Sequence, residues 1–246
     1  MDPMYQELKE IEHRPYPLQP SPWLMTQVWR DLLFMHYPVS TDIIKSYIPT
    51  ELELDIFENK AWISMIPLRI TNMRARGIPP VPYMNSYLEL NVRTYVVYQG
   101  IPGIYFFSLD ANHPLVVTGA RTVTGLPYKH ANMSFEKHEE TFHYASQRIH
   151  TAKKLNVAYQ PGHILFEPQE GSIDHWLLER YCMYSFRGGQ ILRGDIHHDK
   201  WKVNRAEAVI STNTLVPFIP GEFIGKPPLL HYSRRRRFFI YPLKEV

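Results

Sequence analysis

Cysteine is nearly absent: Cys182 is alone in 246 residues, which excludes an intramolecular disulfide and fits a reducing compartment. Long apolar runs are missing too, since no stretch approaches eighteen uninterrupted apolar residues. Met1 to Gln19 holds acids and prolines but no apolar h-region, so neither a secretory leader nor a membrane helix is expected. A soluble cytoplasmic protein is expected. No Gly-x-Ser-x-Gly elbow, Walker lysine or Gly-x-Gly-x-x-Gly occurs, which removes the usual frames for acyl transfer and nucleotide cofactors; no cofactor is expected. The twelve histidines show no His-x-x-x-His spacing, and His197-His198 on a strand would point to opposite faces, so no metal site is expected. Net charge is only +3, with 27 basic residues scattered among 24 acidic ones, which leaves no nucleic-acid footprint. The run Arg234 to Arg237 before Phe238 reads as a solvated strand edge.

What is present is a composition for a packed globule, 44% hydrophobic and 13% aromatic, of a size that one domain over 1–246 can fill. Twenty-one prolines against twelve glycines point to strands joined by stiff turns, with few helices. The expected fold class is α+β, predominantly antiparallel β. Residues 1 to 20, with four prolines, read as an extended or frayed N-terminal arm. Strands are expected over Trp23 to Pro38, Tyr87 to Tyr98, Gly103 to Asp110 and Leu115 to Thr124. Later strands are expected over Met133 to Lys137, Thr141 to His150, Gln190 to His197, Trp201 to Ile210 and Phe238 to Leu243. Leu52 to Phe57 and Ala61 to Ile70 read as a hairpin about Glu58-Asn59-Lys60. Helices are expected after Ser40 and over Ile173 to Tyr184, a helical turn over Leu126 to Asn132, and loops over Gly77 to Pro82 and Pro217 to Pro228.

The most informative stretch is Tyr87 to Tyr95, where Glu89, Asn91, Arg93 and Tyr95 alternate and so share one face of a strand. That face is too polar for an ordinary core. It is either the wet side of a sheet or the lining of a cavity. Glu89, Arg93 and Arg121 could converge to hold a small carboxylate, with Glu89 as acid or base, or could form a structural ion pair.

Several uncommon residues in order carry a resemblance: His36 within Leu33 to Pro38, Asn91-Val92-Arg93-Thr94-Tyr95, Pro102-Gly103, Glu179-Arg180-Tyr181 and His198-Asp199-Lys200-Trp201. In these the chain resembles the uncharacterised bacterial YqjF family of the acetoacetate-decarboxylase-like superfamily. Tyr87-Leu88-Glu89, Ala120-Arg121 and Gly125-Leu126-Pro127-Tyr128-Lys129 are similar to decarboxylase segments. The resemblance implies curved antiparallel sheets forming a barrel-like fold around a central cavity. It also marks a departure, because Tyr128 stands where the decarboxylases place the lysine that forms a Schiff base, and Lys129 matches only the assisting lysine.

The expected function is therefore a polar central cavity for a small, anionic carboxylate or oxo-acid. Glu89, Tyr128 and Lys129 are expected at the chemistry, with Arg93, Arg121, Tyr95 and Asp110 binding the ligand. The alternative is a non-catalytic small-molecule-binding protein that kept the fold and lost the nucleophile. Assembly into a homo-oligomer is left open.

Overall fold

The computed structural model describes residues 5–216 and 229–246. The loop expected over Pro217 to Pro228 lies outside the described residues. Thirteen strands among the described residues form one hydrogen-bonded network. In chain order they are β1 (Met25–Val39), β2 (Glu53–Leu54), β3 (Ala61–Ala75), β4 (Tyr87–Tyr98), β5 (Ile101–Ala111), β6 (Tyr128–His138), β7 (Thr141–Arg148), β8 (Lys154–Phe166), β9 (Cys182–Arg187), β10 (Gln190–His197), β11 (Val203–Asn213), β12 (Leu229–Ile240) and β13 (Lys244–Glu245). Among the described residues three α-helices join them: α1 (Thr41–Lys45), α2 (Pro114–Thr124) and α3 (Ile173–Leu178).

The sheet branches at both ends of a shared wall. Strand β5 pairs with β6 through Leu109–Ala111 and with β9 through Ile104–Tyr105, while β12 pairs with β11 near Tyr232 and with β10 near Ile240. Two closed circuits result. A nine-strand ring runs β4-β5-β6-β7-β8-β11-β12-β1-β3, and a seven-strand ring runs β4-β5-β9-β10-β12-β1-β3. The shared strands are thus buried on both faces. On β4, Leu90 and Val92 join one core cluster with Leu33, Met35 and Tyr159, while Tyr87 and Tyr95 join the other with Phe34, Phe106 and Met183. β1 bulges at Asp31 (φ 51°), where the register with β3 shifts. Tyr232 and Tyr159 hydroxyls donate to the Asp31 side chain and carbonyl, and Arg69 pairs with it.

The strong alternations are realised closely, with β4 and β10 at their expected bounds. Other segments differ. Leu115 to Thr124, rich in Val and Thr, is the helix α2 and not a strand. Its caps favour the helix: the His113 side chain accepts from the Val116 amide, Pro114 opens the first turn, and Gly125 closes it at φ 68°. Leu126 to Asn132 makes no helical turn; Tyr128 already begins β6. The helix from Ile173 ends at Leu178, and Cys182 lies in β9, paired to β10 across Gly188-Gly189, both at positive φ in a tight hairpin turn. The expected hairpin partner of β3 is reduced to two residues that pair with β4 instead. β8 joins β7 to β11 where no strand was expected.

The N-terminal arm is docked along its described part. Arg14 is buried, donating to the Ile196 carbonyl at 2.7 Å, and Tyr5 packs edge-on against Trp23 and Phe239. The arginine run is not a sheet edge either, since it lies within β12 and pairs with β1 across Val28 to Arg30. Arg236 is buried against Asp199 and Trp201, with only Arg234 and Arg235 exposed. Among the described residues no helix is long and apolar enough to cross a membrane.

Candidate functional site

Two strands bring Glu89 and Tyr128 together. Glu89 projects from β4 into the seven-strand ring, and Tyr128, the first residue of β6, lies beside Leu109 in the parallel β5–β6 register. The Tyr128 hydroxyl donates to Glu89 Oε2 at 3.2 Å, and the Tyr144 hydroxyl fixes the Glu89 backbone by donating to its carbonyl at 2.8 Å. Both side chains face a cavity of about 320 Å³, within the range of small-molecule sites. Its walls are apolar, from Trp29, Phe106, Leu109 and Phe238, and α2 roofs it through Val116, Ala120 and Val123. Met25, Met73, Met84 and Met183 also line it, giving the walls adaptable, unbranched side chains. Gln27 donates to the Tyr87 hydroxyl at 3.4 Å and adds the one amide among the lining residues.

Burial in these apolar walls pushes the Glu89 carboxyl up to about 8. The Tyr128 hydrogen bond opposes that rise, and the negative charge of Asp110 adds to it. Glu89 is therefore mostly protonated at neutral pH. Burial and the Glu89 carboxyl push the Tyr128 phenol well above its ordinary value, so it remains a donor.

The other expected site residues lie elsewhere. Lys129 follows Tyr128 on a strand, so the pleat turns it to the opposite face, where it is exposed. Arg121 is exposed on α2 and is not among the residues that line the cavity. Asp110 is fully buried in an ion pair with Arg148, whose Nε donates to both carboxylate oxygens at 2.9 and 2.8 Å while Nη2 reaches Ser108. Arg93 and Tyr95 sit farther along β4, where the Tyr95 hydroxyl bonds to Ser64 Oγ at 2.5 Å and Ser64 to His36 Nδ1 at 2.6 Å. The cavity at Glu89 is accordingly apolar with one carboxyl, not the cation-lined polar cavity expected. Trp29, Gln27 and the α2 stripe were missed as lining residues; the His113-Pro114 and Gly125 cap signals were the clue to the helix. Among the described residues no group of three or more His, Cys, Asp or Glu could hold a metal ion.

Residues 26–237 match the family profile of DUF2071, described as an uncharacterised conserved protein. The chain belongs to this family. A relative of this chain is the uncharacterised protein YqjF of Bacillus subtilis strain 168, 43% identical over 224 residues, or 91% of this chain and 93% of that protein. Solved structures place the DUF2071 chain in the acetoacetate-decarboxylase-like fold. An acetoacetate-decarboxylase-like enzyme from Sphingomonas wittichii RW1 superposes with a TM-score of 0.63 at 8% identity, over 95% of this chain and 97% of that one. Acetoacetate decarboxylase from Legionella pneumophila gives 0.62 at 14% identity, over 100% and 97%. The enduracididine biosynthesis enzyme MppR, complexed with pyruvate, gives 0.61 at 9% identity, over 94% and 92%.

Proposed function

We propose that this DUF2071 protein takes a small, uncharged carbonyl compound into the Glu89 cavity and moves a proton at the carbon next to the carbonyl, without forming an imine. One observation carries the reading: a carboxyl whose pKa is raised to about 8 faces an apolar cavity with a phenol hydrogen-bonded to it. A base with a pKa near the working pH combines basicity with a usable ionised fraction, about a tenth at pH 7. Ionised Glu89 accepts the carbon-bound proton, and the Tyr128 hydroxyl turns to donate to the oxygen on which negative charge develops. The apolar walls keep water from levelling that interaction. A bound carboxylate would meet no cation among the described lining residues, which favours ketones and aldehydes over oxo-acids. That MppR, of the same fold, is described in complex with pyruvate lends support to a carbonyl ligand, though the carboxylate of pyruvate would find no cation among the described residues lining this cavity.

The test is hydrogen–deuterium exchange at the carbon next to the carbonyl, followed by proton NMR in D2O over matched panels of ketones and oxo-acids. Exchange with a ketone that is lost in Glu89→Gln and slowed in Tyr128→Phe supports the proposal. Saturable quenching of tryptophan fluorescence without any exchange would identify a binding protein instead. Exchange that survives in Glu89→Gln would assign the chemistry to other residues.

A further inference from the structure

A second polar centre lies in the same ring, four residues along β4 from Glu89. At about 3.3 Å per residue the two are ~13 Å apart, too far for one small carbonyl compound to touch both. Arg93 is 6% exposed and, among the described residues, has no carboxylate within ion-pair distance. Its guanidinium lies 5.9 Å from the centroid of the Tyr95 ring, and that of Arg180, also 6% exposed, lies 5.0 Å from the same ring. Asp55 accepts from Arg180 at 2.5 Å. Glu179, next in the chain, is turned away to the Trp201 amide and the Tyr181 hydroxyl. Of these two buried guanidiniums only that of Arg180 has a carboxylate partner among the described residues.

A buried charge without a counter-ion is costly, and proteins retain one where something offsets it. The unspent hydrogen-bonding groups point the same way. Arg93 Nε and Arg180 Nη2 are buried without a partner, as are both amide atoms of Asn91, which is fully buried beside Arg93 on the same face. Guanidinium and amide N–H groups left unpartnered on one face of β4 and beside the same Tyr95 ring suit an oxyanion, which accepts several bonds at once. Trp176, half-buried, covers Arg180 at 4.5 Å, so the centre lies one side chain below the surface.

We propose that Arg93, Arg180 and Asn91 form a binding site for a small oxyanion, a carboxylate or phosphate group, separate from the Glu89 cavity. The probes are sodium acetate and inorganic phosphate, added to the full chain in chloride at constant ionic strength, with the midpoint of thermal unfolding as readout. One of them raises the midpoint saturably in the wild type, as a ligand that binds only the folded state must. Arg93→Met abolishes that rise, and Arg93→Lys, which keeps the charge but not the fork, shifts the half-saturating concentration at least tenfold upward. Glu89→Gln leaves the rise unchanged, which separates this site from the carbonyl cavity. In chloride alone Arg93→Met melts above the wild type, because an uncompensated cation has been removed; a structural arginine would give the reverse. Should Arg93→Met not fold, the Arg93→Lys titration decides. No response beyond chloride, or an equal response in the Arg93 variants, overturns the proposal.

Discussion

Replacing Glu89 by glutamine tests the electrostatic reading of the cavity without relying on any ligand. Glutamine keeps the shape of the side chain and an oxygen for the Tyr128 hydroxyl, but does not titrate. Below about pH 4.5, the ordinary glutamate value, both folded and unfolded wild-type chains hold the proton. Between there and about 8 only the folded chain does, so raising the pH draws the proton from the unfolded state alone and destabilises the fold. The slope is about 1.4 kcal/mol per pH unit for one proton, so from pH 5 to pH 8 the wild type loses up to ~4 kcal/mol that the variant keeps. Groups that titrate alike in both proteins cancel in the difference. Urea unfolding of the two proteins at half-unit steps from pH 4 to pH 9 gives that difference directly. The curves are expected to meet near pH 5 and to separate in favour of Glu89→Gln until about pH 8, then run parallel. Parallel curves throughout, or a wild type that gains on the variant as pH rises, would refute a raised Glu89 pKa and with it the proton-transfer argument.

Borohydride reduction with aldehydes and oxo-acids is expected to trap no adduct on Lys129, because that lysine faces away from the cavity; an adduct seen by intact mass and lost in Lys129→Ala would reverse this. Asp110→Ala strands the buried Arg148 guanidinium and is expected to cost about 3–5 kcal/mol in chemical denaturation, while an unchanged midpoint would show the pair is dispensable. Gly119→Ala, in the middle of α2 with no atom near the added methyl, is expected to raise stability by about 0.5–1 kcal/mol, and a loss would mean that the roof helix is shaped otherwise.

Much of the central wall was legible because its signals are local. The alternation in Tyr87 to Tyr98 marks a strand, and its polar set does turn into one ring, with Tyr87 and Glu89 lining the cavity. The pairing of Glu89 with Tyr128, 39 positions away, followed from family resemblance; spacing alone holds no such information. In α2 the β-branched run Val116, Val117, Thr118 argued for a strand, and tertiary packing of one face against the ring overrode it. The cations were misplaced for the same reason. Once Leu126 to Asn132 is extended instead of helical, Lys129 must alternate away from Tyr128, and a helical α2 leaves Arg121 on its outer side. The docked arm was illegible because Arg14 finds its partners near Ile196, 182 residues on.

The joint between β1 and β12 also governs when the molecule can exist. The first long strand forms eleven pairings with a strand that starts only at Leu229, and both rings close through that seam. During synthesis β1 must therefore wait, one edge unpaired, until almost the entire chain has emerged. Loop closure over some two hundred residues then sets the final step, so late-folding intermediates with an open seam are the species most exposed to aggregation and to chaperone capture. A chain cut before Leu229 loses both closures at once, and neither ring can be completed in isolation.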